Sequence, residues 1–96
     1  MKKYNIAIIG LGYWGTIVTK TIVSMGLFKK IYIYDTDISK VNILKKKFGN
    51  KVISIDLNEI QRNKEINNVF LARPPKINFK ILKSLIKFTF WLKNQV

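Results

Sequence analysis

Tyr4-Asn5-Ile6-Ala7-Ile8-Ile9-Gly10-Leu11-Gly12-Tyr13-Trp14-Gly15 decides how the rest of this 96-residue chain is read. A short apolar run, of a length that suits a buried strand, enters Gly-x-Gly-x-x-Gly and then residues at helical spacing. Each glycine has its own physical task in a strand-turn-helix that cradles a pyrophosphate. Gly10 permits the tight turn, Gly12 lets the backbone approach the phosphates, and Gly15 lets the helix lie close to the strand. The free N–H groups and the positive dipole end of that helix would then face the anion. Three glycines alone are a weak signal, since Gly-rich turns arise by chance. Context strengthens them. Lys30-Ile31-Tyr32-Ile33-Tyr34 reads as a second strand ending in Asp35, about twenty residues past the last glycine, where a ribose-binding carboxylate is expected.

Further along the chain the pattern continues. From Tyr13 to about Met25, Ile17, Val18, Ile22 and Met25 fall at helical spacing, and Gly26 suits the C-terminal cap. Tyr13 and Trp14 sit on the first turn beside the glycine loop, where they either line a cofactor mouth or, as the plainer role, cover the sheet edge. Asp35-Thr36-Asp37 offers caps for a helix from about Ile38 to Phe48, with Val41, Leu44 and Phe48 as its buried stripe and Gly49-Asn50 as its end. Lys51 to Ile55 reads as a third strand, Leu57 to Ile60 as a short helix and Asn68 to Leu71 as a fourth strand. Strands alternating with helices predict an α/β, Rossmann-like parallel sheet with right-handed crossovers and helices on both faces.

Asp35 also bears on the choice of cofactor. Its carboxylate can accept hydrogen bonds from a ribose 2′-hydroxyl and repels a 2′-phosphate. Asp37 adds to that repulsion, though its first role is as a helix cap, and no arginine lies nearby to reverse it. The expectation is NAD over NADP, with a simple helix cap as the competing role for Asp35.

Composition narrows the chemistry. At 96 residues the chain makes at most one small domain, and 48% apolar residues suit a buried parallel sheet rather than disorder. With no cysteine and no histidine there is no thiolate site, thiol nucleophile or imidazole base. Five acids are too few and too scattered to suggest a metal cluster, so no metal is expected. The formal charge of +13 comes almost wholly from lysines spread along the chain, in a composition also rich in isoleucine and asparagine, which fits biased coding better than a nucleic-acid footprint. Met1-Lys2-Lys3 before an apolar run is interrupted by glycines too soon for a signal peptide, and the expected compartment is the cytoplasm.

Two segments carry a family resemblance: Ile9-Gly10-Leu11-Gly12-Tyr13-Trp14-Gly15, and Val69-Phe70-Leu71-Ala72-Arg73-Pro74-Pro75-Lys76-Ile77-Asn78-Phe79. Together they resemble the N-terminal domain of the Gfo/Idh/MocA oxidoreductases (glucose-fructose oxidoreductase, inositol dehydrogenase and relatives). The Gly-Tyr-Trp-Gly form is similar to members that oxidise sugars or nucleotide sugars. In the family the second motif usually reads Ala-Thr-Pro-Pro-x-x-His and borders the nicotinamide side of the cofactor. The resemblance therefore implies that Ala72, Arg73, Pro74 and Pro75 lie against the cofactor, with Arg73 in place of the threonine and Asn78 in place of the histidine. It also implies a helix over about Ile77 to Lys87, then a fifth strand, Glu-Lys-Pro with an active-site lysine, and a substrate domain.

The chain instead ends Lys87-Phe88-Thr89-Phe90-Trp91-Leu92-Lys93-Asn94-Gln95-Val96. With AT-rich codons, a shifted frame entered at the last base of the Phe88 codon reads Tyr-Ile-Leu-Val-Glu-Lys-Pro-Gly. The expectation is a dinucleotide-binding domain over residues 1–96, truncated by a frameshift, with 87–96 as an out-of-frame tail and no substrate domain.

Three functional readings follow. The first is an NAD-binding module resembling half of a sugar dehydrogenase and without turnover alone, because Asp56, Glu59 and Glu65 are unpaired and no catalytic residue is assigned. The second is a non-functional remnant that dimerises or aggregates through an exposed sheet edge. The third is a basic amphipathic helix, with Ile77, Ile81, Leu85 and Phe88 on one stripe and Lys76, Lys80, Lys83 and Lys87 on another, lying on an anionic membrane or polyanion. The plainer account of that last helix is packing on the sheet.

Overall fold

A computed structural model describes residues 4–72. Arg73, Pro74, Pro75, Asn78, the expected helix over about 77–87 and the tail at 87–96 lie outside the described residues. Four strands and three helices alternate: β1 Tyr4–Ile9, α1 Tyr13–Met25, β2 Phe28–Tyr34, α2 Ile38–Phe48, a 3₁₀ turn Gly49–Lys51, β3 Ile53–Ser54, α3 Leu57–Arg62 and β4 Asn68–Leu71. All pairings are parallel and the sheet order is β3-β2-β1-β4.

Two apolar layers bury the central strand. β1 sends Ile6 and Ile8 to one face and Ala7 and Ile9 to the other, so a continuous apolar run is what its position demands. On the first face Ile22 of α1 and Val41 and Leu44 of α2 close over Ile8, Ile31 and Ile33. On the second face Leu57 and Ile60 of α3 cover Ala7, Ile9 and Tyr32, with Ile66 and Val69. Helices thus lie on both faces. Because α1 and α2 share a face, the chain steps outward from β1 through β2 to β3. It then crosses beneath the sheet through α3 and returns to pair on the other side of β1. The direction of travel reverses between β1 and β4, and their carboxyl ends flank a topological switch point.

Helix ends follow local chemistry. Gly26 closes α1 with φ of 66°, a left-handed conformation that favours glycine. Asp37 caps α2 by accepting the Ser39 N–H at 3.0 Å, and Asp56 caps α3 by accepting the Glu59 N–H at 2.8 Å.

Three local expectations differ. β2 starts at Phe28, two residues early, and β3 is only Ile53–Ser54, because Gly49–Lys51 form a turn where the strand was expected to begin. On α1, Ile17 and Met25 are exposed, while Gly15, Thr19 and Ile22 face the sheet. The helix lies too close for large side chains near its start.

Ile33 is fully buried between β1 and α2, whereas Ile43 stands in solvent on α2. Ile33→Val should cost about 1 kcal/mol of stability, and Ile43→Val should change it by no more than about 0.5 kcal/mol. Urea unfolding of the full chain measures both.

Candidate functional site

The site begins where β1 ends. Gly10 takes φ of 95°, which turns the chain sharply while its N–H still bonds the Tyr34 carbonyl at 2.9 Å. Two residues later Gly12 starts α1. A Cβ built on Gly12 meets nothing within 4 Å, and its φ of −76° suits any residue. Neither packing nor backbone requires glycine there, so the space it leaves open is space for a ligand. Gly15 differs. A Cβ there would sit 1.7 Å from the Gly10 carbonyl oxygen and 3.4 Å from the Ala72 Cβ. Helix, first strand and the end of the fourth strand meet at that point without room for a methyl group.

The tip of α1 is the only start of a described α-helix without a side-chain cap, and its first turn carries no acid. The first intrahelical bond runs from the Thr16 N–H to the Gly12 carbonyl at 3.0 Å, which leaves the preceding N–H groups without helical acceptors. They face a cavity of about 360 Å³ between the glycine turn and the end of β2. Donors, dipole and the missing side chain at Gly12 make a cradle for an anion.

Asp35 lies at the other end of this cavity and is firmly held. Its Oδ2 accepts the Leu11 N–H at 2.6 Å and its Oδ1 accepts the Asp37 N–H at 2.8 Å. The carboxylate therefore fastens the glycine turn to the end of β2. Leu11 contributes that N–H, but its side chain is buried in the first core layer, away from the cavity. Ala72 reaches the cavity from β4, where its N–H bonds the Ile9 carbonyl at 3.0 Å. Tyr13 and Trp14 line the cavity mouth, 76% and 65% exposed, with their rings edge to face and centroids 5.4 Å apart. They do not cover the described sheet.

The structure thus brings Gly10, Gly12, Tyr13, Trp14, Gly15, Asp35 and Ala72 to one cavity. It adds Tyr34, Thr36 and Lys40, none of which was read from the sequence as a wall of this site, and Asp37, which was read first as a helix cap that adds negative charge beside Asp35. Thr36 follows the strand-end acid directly, and Lys40 stands one turn further on the first turn of α2. That spacing was the available signal. The Asp37 carboxyl is held below its ordinary value of 3.8, first by the Ser39 hydroxyl and then by the Ser39 N–H; desolvation opposes them, and the Lys40 charge adds the least.

A central strand that opens onto a free helix tip at a switch point, with an acid at the end of the next strand, is the construction of an NAD(P)-binding, Rossmann-like domain of an oxidoreductase. The chain belongs to the family described as NADP oxidoreductase, coenzyme F420-dependent, whose model matches residues 5–90. Its fold is also that of apo scyllo-inositol dehydrogenase from Lactobacillus casei, with a TM-score of 0.66 and 21% identity over 93% of this chain. This chain spans 27% of that enzyme's length. An inositol dehydrogenase is among the Gfo/Idh/MocA enzymes that the sequence resembles, so the resemblance is met in the fold. Among curated proteins none matches. No helix among the described residues is long and apolar enough to cross a membrane, and no group of acids there could hold a metal ion.

Three outcomes test the site's construction. Gly12→Ala should leave stability within about 1 kcal/mol, since Ala is only a poorer start for the helix. Gly15→Ala should cost about 1–3 kcal/mol or more, because helix and strand must part; thermal unfolding separates the two. For Asp37 the folded carboxyl gives up its proton more readily than the unfolded one. Its contribution to stability is therefore complete above about pH 4 and fades as pH falls through the lower folded value. Asp37→Asn should flatten the acid limb of the stability profile below pH 4.

Proposed function

We propose that this chain holds NAD(H), in preference to the 2′-phosphorylated cofactor, as the dinucleotide-binding part of a dehydrogenase acting on sugar or polyol carbinols. The observation that carries the reading is Asp35: its carboxylate is bonded to the glycine turn and opens onto the same cavity as the free tip of α1. Bound there, the dinucleotide supplies hydride transfer.

The chain's own residues bind and orient. The N–H groups of the first α1 turn take the diphosphate, and Gly12 leaves room for its oxygens. Asp35 accepts from the adenosine ribose hydroxyls, since an ionised carboxylate has about four lone-pair sites and backbone donors occupy only part of them. Asp37 beside it adds negative charge against a 2′-phosphate. Tyr13 and Trp14 wall the mouth, and Ala72, with Arg73, Pro74 and Pro75 after it, borders the far side as the family resemblance implies. The chain has no histidine, and the two carboxylates at the cavity, Asp35 and Asp37, are both engaged at its ribose end. Binding without turnover is the activity we assign to this chain, and the carbinol substrate follows from the dehydrogenase resemblance.

Calorimetric titration of the full chain with NADH and NADPH tests the reading. NADH should bind at least about tenfold tighter, a difference of about 1.4 kcal/mol, and Asp35→Ala should weaken NADH and erase the preference. Equal or tighter binding of NADPH would remove the basis for the NAD assignment, and no binding of either would remove the module reading.

A further inference from the structure

A second cavity, of about 310 Å³, opens at the other end of β2 and shares no lining residue with the first. It exists because β3 is short. That strand meets β2 only at Tyr32↔Ile53 and Ile33↔Ser54, and the residues before it turn as a 3₁₀ helix instead of extending the ladder. The flank of β2 from Phe28 to Ile31 is left with no described strand beside it, which makes a notch.

The backbone shows what this flank presents. The Ile33 carbonyl accepts the Ile55 N–H at 3.2 Å on the β3 side, while the Tyr34 carbonyl accepts the Gly10 N–H at 2.9 Å on the β1 side. Alternate residues of a parallel strand direct their peptide groups to alternate flanks, so the Ile31 carbonyl meets the first residue of β3 and the Ile31 N–H points toward the notch. Lys29 next to it is irregular. β1 and β2 pair as Tyr4↔Phe28 and then Asn5↔Lys30, which leaves Lys29 as the extra residue of a bulge, unpaired in that ladder. Bulges of this kind re-aim a side chain and often border sites.

Charge and wall complete the description. Among the described residues the ammonium groups of Lys29 and Lys51, both at the notch and exposed, have no hydrogen-bond acceptor or carboxylate partner. Lys30, also at the rim, is drawn to Glu65 at 3.4 Å. No acid lines the notch, and Val23, Phe28 and Ile53 give it an apolar wall.

We propose that this notch binds a small carboxylate carrying a short apolar tail, with the head between Lys29 and Lys51 and the tail on Val23, Phe28 and Ile53. A bare anion would leave the apolar wall wet, and a neutral hydrocarbon would leave both ammonium groups unanswered. The volume lies at the small end of ligand cavities. The site is independent of the dinucleotide reading.

Titration of the isotopically labelled full chain with hexanoate, followed by amide NMR shifts, tests the proposal, with acetate and hexanol as controls that keep only the head or only the tail. Hexanoate should move the Lys29, Ile31 and Ile53 amides saturably and at least tenfold more tightly than either control, with Gly10 and Gly12 unmoved. The double variant Lys29→Gln, Lys51→Gln should weaken it at least tenfold. Lys51→Gln alone, on an exposed turn, should weaken it at least threefold and keeps the test open should the double variant fail to fold. Acetate matching hexanoate, hexanol matching it, equal shifts over Lys45 to Lys47, or indifference to the lysine variants would each overturn the proposal.

Discussion

The structure depends on one close approach. At Gly15 the backbone of α1 rests on the carbonyl of Gly10, at a distance where a Cβ would stand 1.7 Å from that oxygen. Removing a side chain there costs backbone entropy, and the return is position. The helix tip is held directly above the end of the central strand, with Ala72, just past β4, against the same point. One turn further Thr19 is fully buried, its hydroxyl donating to the Gly15 carbonyl at 2.7 Å, and Ile22 follows on the same face. Side chains facing the sheet grow along the helix, so α1 lies nearest the sheet at its tip. That arrangement aims the unpaired N–H groups at the switch point, and the anion cradle follows from it.

Asp35 fixes the other dimension of the site. Hydrogen bonds that involve a charged group are worth more than neutral ones, about 1.5–3 kcal/mol, and Asp35 makes two of them to backbone, at Leu11 and Asp37. The glycine turn, the end of β2 and the start of α2 are joined through one carboxylate. A turn built from Gly10, Leu11 and Gly12 would otherwise be among the softest parts of the chain. Joined in this way it is held in shape before a ligand arrives, so less binding energy is lost to ordering.

How much could be read beforehand depended on how local the chemistry was. The glycine turn, the capping acid Asp37 and the alternating order of elements are written in short stretches of chain, and so is Asp35 at the end of β2. The buried stripe of α1 was legible only in part: Gly15 and Ile22 were read correctly, but a search for large apolar residues at helical spacing also finds the exposed Ile17 and Met25 and passes over Thr19. β3 misled for a related reason. Val52 is fully buried, yet it plugs the first core layer from a turn, and an apolar residue buried outside a strand looks the same in sequence as one inside it. Thr36 and Lys40 reach the cavity only because α2 starts where it does, which is a tertiary fact.

The Asp35 end of the cavity carries opposed charges, and their relative hold on a ligand differs by construction. Lys40 is a cation on a flexible stem, and fixing such a side chain on a phosphate costs rotamer entropy while solvent screens the attraction. Asp37 is spent on the cap of α2, with its charge directed at Ser39. Asp35 has no such freedom: two backbone N–H groups hold it in place, and it stands half-buried in the cavity wall. A fixed carboxylate meets an incoming 2′-phosphate with full repulsion, and a mobile ammonium offsets it only after being ordered. On that balance the proposed NAD preference rests on how firmly Asp35 is tied to the glycine turn rather than on a count of charges. The interaction that shapes the anion cradle is then the same one on which the proposed choice of sugar rests.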